Sequence, residues 1–233
     1  MSEEPSGNEI AARIAAVRGQ IDEAAARAGR PPGAVRLLAV SKTKPPLAIR
    51  AAYAAGQREF GESYAQELAQ KAEALRDLDG IVWHFIGRLQ RNKARQVVQA
   101  AGVVHTVDRA ELAAELGKRT AAAAIRVRVL VEVNVSGEAS KGGCAPADLA
   151  AVLAAVAAEP SLTAIGLMTI PPDTDDPEEA RPFFASLRAL RDQHGGAAAL
   201  PELSMGMTHD FAVAVAEGAT IVRVGTAIFG ARG

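Results

Sequence analysis

The stretch LLAVSKTKPP, residues 37–46, places an apolar run directly before two lysines and two prolines. Its first part, LLAV, is apolar at every position, which is typical of a strand covered on both faces. Pro45 fits the first turn of a helix, where its missing N–H costs no hydrogen bond. A strand that leads straight into a helix is the repeating unit of a parallel α/β sheet. The fold therefore depends on how often the chain repeats this unit.

The same alternation of strand and helix continues to the end of the chain. The eight strand candidates are Val35–Val40, Arg58–Phe60, Ile81–Ile86, Val103–Val107, Val127–Val135, Thr163–Ile170, Glu202–Ser204 and Thr220–Val224. The helix-start signals between them are Pro45, Ser63 with Gln66, Asp108 with Glu111, Pro146, and Asp176 with Pro177 and Glu179. Eight such units in 233 residues predict one TIM-type (β/α)8 barrel, a fold of about 250 residues. An open doubly wound sheet is the alternative, although no G-x-G-x-x-G motif follows a strand.

The N-terminal segment predicts a helix outside the eight units. Ser6 and Glu9 fit a capping box, and apolar residues then recur on one helical face up to Ala28. After the eighth strand only TAIFGARG remains, which is too short for a complete eighth helix. We therefore predict that the leading helix covers that side of the barrel. In this interpretation residues 1–233 form a single domain, with residues 1–32 as the leading helix and a linker.

Composition and charge argue against several classes of protein. A formal net charge of -1 gives no electrostatic basis for nucleic acid or an anionic membrane as the main partner. Cys144 is the only cysteine and the four histidines lack metal-ligand spacing, so we predict neither a disulfide nor a metal site. His84 and His105 are expected to be hydrogen-bonded residues of the core or of the mouth of the barrel. Because signal-peptide and membrane-span patterns are absent, we expect a cytoplasmic protein, and a monomer.

The loops after the last two strands predict a phosphate site. Functional side chains of a barrel gather where strands end, and the loops after strands seven and eight commonly hold phosphate. SMGMTHD, residues 204–210, and VGTAIFG, residues 224–230, supply hydroxyls and glycines there. The candidate residues are Ser204, Gly206, Thr208, Gly225 and Thr226. The plainer interpretation is that these are turn and cap residues.

Two cations extend this site. Lys42 ends the first strand, where low-dielectric surroundings would lower the pKa of its amine and favour attack on a carbonyl. A solvated strand-end charge is the alternative, and we place Lys44, held before Pro45, in solvent. Arg223 on the eighth strand would face a ring nitrogen. Together these groups suggest pyridoxal 5'-phosphate, with its aldehyde at Lys42, its ring nitrogen at Arg223 and its phosphate on the glycine and hydroxyl loops.

Several stretches resemble one known family, the pyridoxal phosphate homeostasis proteins. They are LLAVSKTKP at 37–45, FGESYAQE at 60–67, WHFIGRLQRNK at 83–93, HTVD at 105–108, VNVSGEASKGG at 135–143, GLMTIPP at 166–172, SMGMTHD at 204–210 and VRVGTAIFGAR at 222–232. The resemblance implies a single barrel similar to the N-terminal domain of alanine racemase, without its second domain. It also implies a cofactor linked to Lys42, phosphate ligands at Thr208 and Thr226, and Arg223 at the ring nitrogen.

The same resemblance implies a role in vitamin B6 and amino-acid homeostasis without efficient catalysis. Pyridoxal-phosphate enzymes that lack their cofactor are candidate partners. Three positions depart from the family pattern. Ser63 replaces an asparagine, Arg88 replaces a proline, and His209 replaces an acidic or small residue.

Three other functions remain as alternatives. An amino-acid racemase needs a second base, which similar racemases take from a C-terminal domain that this chain does not supply. Ser41 to Lys44 reads S-x-x-K, but the S-D-N and K-T-G partners of that acyl-transfer motif are absent. The basic stretch RLQRNKAR, residues 88–95, lacks interleaved aromatics, so a solvated helix face is favoured over a nucleic-acid surface.

Overall fold

The computed structural model describes residues 5–231 and contains a closed barrel of eight parallel strands. The strands are β1 Arg36–Val40, β2 Glu59–Glu62, β3 Val82–Phe85, β4 Val103–Val107, β5 Val127–Glu132, β6 Leu162–Met168, β7 Glu202–Met207 and β8 Ile221–Val224. Each strand pairs with the next, and β8 pairs with β1. The predicted barrel is confirmed. The alternative, an open doubly wound sheet, is wrong, because an open sheet has two unpaired edge strands and here β8 pairs with β1.

Helices surround the barrel. They are α1 Gly7–Arg27, α2 Pro46–Ala54, α3 Ala65–Ala74, α4 Ala94–Val98, α5 Ala110–Ala122, α6 Leu149–Ala157, α7 Arg181–Gln193, α8 Gly196–Ala199, α9 Phe211–Ala216 and α10 Thr226–Phe229. Short 3₁₀ turns lie at Arg91–Lys93, Pro146–Asp148 and Pro177–Ala180. None of the helices in residues 5–231 is long and apolar enough to cross a membrane.

The leading helix α1 takes the position that an eighth barrel helix would occupy. It packs against α2, α9 and the short α10, and it buries Ile10, Ile14, Val17 and Ile21. Its start has the predicted capping box, in which Ser6 N donates to Glu9 Oε2 at 2.7 Å and Glu9 N donates to Ser6 Oγ at 3.4 Å. The predicted placement of this helix is confirmed.

Some predicted boundaries are wrong. Strand β5 ends at Glu132 and β6 at Met168, whereas β7 continues to Met207 rather than ending at Ser204. Asp108 does not cap α5, because its carboxylate forms an ion pair with Arg109, the residue at the cap position. These shifts matter at β7, where three additional strand residues move Ser204 below the rim of the barrel.

The barrel interior is partly apolar and partly polar. Val103, Leu130 and Met168 form an inner apolar cluster, while a larger cluster fills the space between strands and helices, where the Phe60 and Trp83 rings lie 5.8 Å apart. The buried polar residues of the interior include His84, His105, Ser204 and Arg223. Since buried polar groups are costly unless hydrogen-bonded, their partners define the centre of the site.

Candidate functional site

A cavity of about 330 Å³ opens at the carboxyl ends of β1, β7 and β8. Five of the seven predicted site residues line it, namely Lys42, Thr208, Arg223, Gly225 and Thr226. They come from opposite ends of the sequence, and the pairing of β8 with β1 brings them together. The cavity therefore combines an amine, two hydroxyls and a guanidinium at the face where barrels carry function.

Lys42 lies in a tight turn that directly follows β1. Lys44 N donates to the carbonyl oxygen of Ser41 at 3.0 Å, and Thr43 has a φ of 65°. A β-branched residue rarely adopts this left-handed conformation, so the turn is strained. Lys44 does not lie in solvent as predicted. It is partly buried, borders the same cavity and donates to the carbonyl oxygen of Ala231 at 2.7 Å.

A buried ionic group lies behind this turn. We name Ser41, Glu62, Glu67 and Lys71 the Lys71 cluster. The Lys71 ammonium lies 2.8 Å from Glu62 Oε1, 2.6 Å from Glu67 Oε1 and 2.6 Å from the Ser41 carbonyl oxygen. Ser41 Oγ donates to Glu62 Oε1 at 2.6 Å. Burial raises the pKa of Glu62, and Lys71 and Ser41 act in the opposite direction.

The sequence contained only a faint signal for this cluster. Glu67 and Lys71 are four residues apart on α3, a spacing that usually indicates an exposed helical ion pair. In the structure Lys71 is only 4% exposed, because α3 packs its side chain against the end of β2. Among the lysines, the sequence indicated only Lys42 for the site and gave no indication that Lys71 is buried.

Arg223 is held rigidly under the cavity. Its Nη1 donates to the carbonyl oxygen of Ser204 at 2.7 Å and to Ser204 Oγ at 2.8 Å, and its Nη2 donates to the Thr169 carbonyl oxygen at 2.8 Å. The pKa of Arg223 is lowered to about 10 because burial disfavours its charged form, and the charges of Asp210 and Glu132 offset part of this lowering. The guanidinium is thus charged at neutral pH.

Ser204 and Gly206 differ from the other predicted residues. Ser204 is fully buried, bonded to Arg223 and His105 and not among the residues that line the cavity, and its role as a phosphate ligand stays a prediction. Gly206 has a φ of 91°, and a Cβ there would lie 2.6 Å from Ala214 Cβ. It permits the close turn from β7 to α9 and does not line the cavity.

The two buried histidines continue the bonds of Ser204 down the barrel. His105 Nδ1 lies 3.0 Å from Ser204 Oγ, and His105 Nε2 lies 2.8 Å from His84 Nδ1. Burial lowers the pKa of His84 to about 3 and that of His105 well below its usual value. Both rings are therefore neutral, and the prediction that they are hydrogen-bonded residues of the core or of the mouth of the barrel is confirmed.

In this series of hydrogen bonds, every donor points away from the cavity. An arginine can only donate, so Ser204 Oγ accepts from Arg223, and we assign the Ser204 hydroxyl as the donor to His105 Nδ1 because this gives its buried proton an acceptor. His105 then carries its proton on Nε2 and donates to His84 Nδ1, because a neutral imidazole has one donor. This leaves His84 Nε2–H facing Glu59 Oε2 at 3.7 Å. The polar core thus runs from a guanidinium at the mouth to a carboxylate at the floor.

Glu132, at the end of β5, is a titratable group that the sequence did not indicate as part of a site. It is 6% exposed, and burial, followed by the charge of Asp108, raises its pKa to about 7. A Cβ on Gly142 would lie 2.9 Å from Glu132 Oε1, so the following loop covers this carboxyl group closely. Glu132 is therefore partly protonated near neutral pH.

The three departures from the family pattern have different surroundings. Ser63 and His209 line the 330 Å³ cavity, and His209 Nε2 lies 2.9 Å from the Asp175 carbonyl oxygen. Arg88 is exposed and borders a separate cavity of about 550 Å³ together with Asp108 and Arg109. Within residues 5–231 no group of three or more His, Cys, Asp or Glu side chains could hold a metal ion, and the absence of a metal stays a prediction.

Comparison with known proteins identifies the family. The model of the alanine racemase N-terminal domain matches residues 13–233. A pyridoxal phosphate homeostasis protein of Aquifex aeolicus is 48% identical over 222 residues, which cover 94% of this chain and 97% of that protein. One of Pseudomonas aeruginosa is 50% identical over 224 residues, covering 96% of each. The chain belongs to the pyridoxal phosphate homeostasis protein family.

A solved structure agrees with this membership. PipY of Synechococcus elongatus, with PLP bound, has a TM-score of 0.82 and 40% identity, and the match covers 95% of this chain and 100% of PipY. The resemblance inferred from eight short stretches is therefore confirmed over nearly the whole chain. In this pyridoxal phosphate homeostasis family member, those stretches include the loops that line the 330 Å³ cavity.

Proposed function

We propose that this protein binds pyridoxal 5'-phosphate in the 330 Å³ cavity and holds it as a Schiff base on Lys42. The observation that carries the proposal is the convergence of Lys42, Thr208, Arg223 and Thr226 on one cavity. An amine, two hydroxyls and a buried guanidinium match the aldehyde, phosphate and ring nitrogen of this cofactor. PipY, which has PLP bound, supports the proposal by its similarity.

The residues of the cavity have separate tasks in this proposal. Lys42 Nζ attacks the aldehyde carbon, and a C=N bond replaces the C=O bond as water leaves. Thr208 and Thr226 donate hydrogen bonds to phosphate oxygens. Gly225 lets the loop after β8 pack closely against β1, since a Cβ there would lie 3.0 Å from the Val40 carbonyl oxygen. The cofactor is thus bound at both ends by groups that follow the ends of β1, β7 and β8.

Arg223 favours storage over catalysis. A charged guanidinium opposite the ring nitrogen discourages protonation of that nitrogen, and so weakens the cofactor as an electron sink. The relatives are named homeostasis proteins, which supports the same conclusion. We infer a cytoplasmic monomer of one domain that keeps the aldehyde available in vitamin B6 and amino-acid homeostasis, with cofactor-free pyridoxal-phosphate enzymes as recipients.

The Lys42 assignment is tested by borohydride trapping. Pyridoxal phosphate is added to the wild type, to Lys42→Ala and to Lys44→Ala, and the reduced adduct is mapped by mass spectrometry. We expect an imine absorbance band and labelled Lys42 in the wild type and in Lys44→Ala, but neither in Lys42→Ala. Lys44 is the matched control because it borders the same cavity. A wild type without the band, or with label on Lys44, contradicts the assignment.

The non-catalytic part has its own test. An efficient amino-acid racemase, the alternative function, exchanges the α-proton of its substrate with solvent. We expect L-alanine in deuterated water to retain its α-proton when incubated with the loaded protein, as followed by NMR. Rapid exchange in the wild type that is lost in Lys42→Ala contradicts the proposed storage role and favours the racemase.

A further inference from the structure

Helix α3 contacts the backbone on both sides of Lys42. Lys71 Nζ donates to the carbonyl oxygen of Ser41 at 2.6 Å, directly before Lys42. Thr43 N, directly after it, donates to Glu67 Oε1 at 2.6 Å. The same Glu67 oxygen accepts from Lys71 Nζ at 2.6 Å. One ion pair thus connects the two peptide groups that flank Lys42.

Every proton of the Lys71 ammonium has an acceptor in this arrangement. An ammonium group has three protons, and the three acceptors are Glu62 Oε1, Glu67 Oε1 and the Ser41 carbonyl oxygen. Lys71 is 4% exposed and Glu62 is 0% exposed. A buried ion pair is often no more stabilising than a well-packed apolar pair, so this one fits a positioning role better than a purely stabilising one.

An exposed ion pair between Glu73 on α3 and Arg76, two residues beyond the end of α3, provides a contrast. Glu73 and Arg76 are three residues apart, and their side chains are 72% and 77% exposed. Neither contacts the turn at residues 41–44, and exposed pairs of this kind contribute little to stability. A change at Glu73 therefore alters the charge of α3 without affecting the turn.

The turn needs external support because Thr43 is strained. Its φ of 65° belongs to the region that glycine and asparagine favour. The hydrogen bond to Glu67 holds the Thr43 amide in this orientation. Without it the turn can relax toward ordinary backbone angles, which would redirect the side chain of the preceding residue.

We propose that Lys71 and Glu67 are positioning residues that fix the backbone of residues 41–43 and so direct the Lys42 amine into the cavity. Glu62 anchors the pair, because its Oε1 accepts from both Lys71 Nζ and Ser41 Oγ. The inference rests on the proposed function, in which Lys42 is the residue that captures the aldehyde. It adds that the capture geometry is set from α3, outside the cavity.

The test compares Glu67→Ala with the matched control Glu73→Ala. In the cofactor-free protein, hydrogen exchange of the Thr43 amide is measured by NMR. With pyridoxal phosphate, the rate of imine formation and the pH titration of the imine band are recorded. We expect Glu67→Ala to accelerate Thr43 exchange and slow imine formation, each at least about fivefold, which corresponds to the loss of one hydrogen bond. Glu73→Ala should match the wild type.

Two further variants separate geometry from folding. Glu67→Gln keeps an oxygen acceptor for Thr43 and should recover part of the rate, while removal of the negative charge lowers the pH midpoint of the imine band. The pair Lys71→Met with Glu62→Gln removes one charge of each sign, and should slow imine formation as Glu67→Ala does. If Glu67→Ala does not fold, Glu67→Gln carries the exchange and midpoint measurements.

The outcomes distinguish this inference from the proposed function. If Lys42 is labelled in the wild type but Glu67→Ala and Glu67→Gln match it in exchange, rate and midpoint, the positioning role is overturned and the proposed function stands. If wild-type Lys42 is never labelled, the proposed function fails. The exchange of Thr43 in the cofactor-free protein then still shows whether Glu67 holds the turn.

Discussion

His105 Nε2 lies 2.8 Å from His84 Nδ1 inside the barrel. The two rings are tilted by 59°, with their centroids 5.1 Å apart. They connect the floor of the barrel to Ser204 and, through it, to Arg223. The residue that we place at the cofactor ring is thus supported by neutral imidazoles, whose protonation would reverse the direction of the donors.

The two histidines should make the protein sensitive to acid. Their pKa values are lowered in the folded state, so the unfolded state binds more protons as the pH falls below about 6.5. Their contribution to stability is therefore complete above that pH and is lost between it and about 3, the pKa of His84. We expect a slope of up to about 1.4 kcal/mol per pH unit for each histidine. Urea unfolding from pH 4 to 7 measures it.

A control variant checks that slope. The exposed His209 lies outside the buried chain, so His209→Gln serves as the control for replacing a histidine by glutamine. His84→Gln should show a shallower slope, because one of the two buried proton acceptors is gone. Equal slopes in His84→Gln and the wild type would show that these rings do not control acid unfolding.

Glu132 should change the stability of the protein in the opposite direction to the two histidines, over a pH range that overlaps with theirs. Its pKa is raised to about 7, so its contribution to stability is complete below the unfolded value and declines as the pH rises to about 7. Glu132→Gln removes the cost of ionising this carboxyl group. The stability of the variant relative to the wild type should therefore increase from pH 4.5 to 7, by at most about 1.4 kcal/mol per unit. Parallel urea titrations measure the difference, and a constant offset contradicts it.

Substitutions at Ser204 and at Thr208 should have different effects, the first on stability and the second on cofactor affinity. Ser204→Ala leaves His105 Nδ1 and Arg223 short of a buried partner, and should lower the free energy of unfolding by about 1–3 kcal/mol. Thr208 is exposed at the cavity, so Thr208→Ala should change stability little. It should weaken pyridoxal phosphate binding by about fivefold through the loss of one hydrogen bond. Unfolding curves and imine-band titrations of both variants test the contrast, which reversed effects would refute.

Lys71 should be hard to remove alone. Lys71→Met leaves the buried carboxylate of Glu62 without its cation, and should destabilise the protein by about 3–5 kcal/mol. Adding Glu62→Gln removes that uncompensated charge and should restore most of the lost stability. Thermal and urea unfolding of the single and double variants check this. A double variant as unstable as the single one would show that packing, rather than charge, is responsible.

The barrel was predictable because its signals are local. Several strands are short apolar runs such as LLAV at 37–40, and turn residues or helix starts separate the strands along the chain. The capping box at Ser6 and Glu9 is equally local, and it marked the beginning of α1 to within one residue. Boundaries were less predictable where an apolar run continues past the last paired residue, as it does beyond Glu132.

The candidate site was predictable in part for the same reason. Lys42, Thr208, Arg223 and Thr226 lie at or beside strand ends, and all strand ends of a parallel barrel meet at one face. Ser204 lies deeper in the barrel than its predicted strand end because β7 extends to Met207. Those additional residues put its hydroxyl inside the barrel, where Arg223 and His105 bind it.

The sequence by itself determined the number and order of the strands, the leading helix, and the residue types that reach the mouth of the barrel. Only the tertiary structure decided that Lys71 is buried against Glu62, that Glu67 holds Thr43, and that Glu132 has a raised pKa. Strand and helix patterns depend on neighbours along the chain. Burial, desolvation and hydrogen bonds between α3 and the turn at Lys42 depend on which segments pack together, and that is set by closure of the barrel.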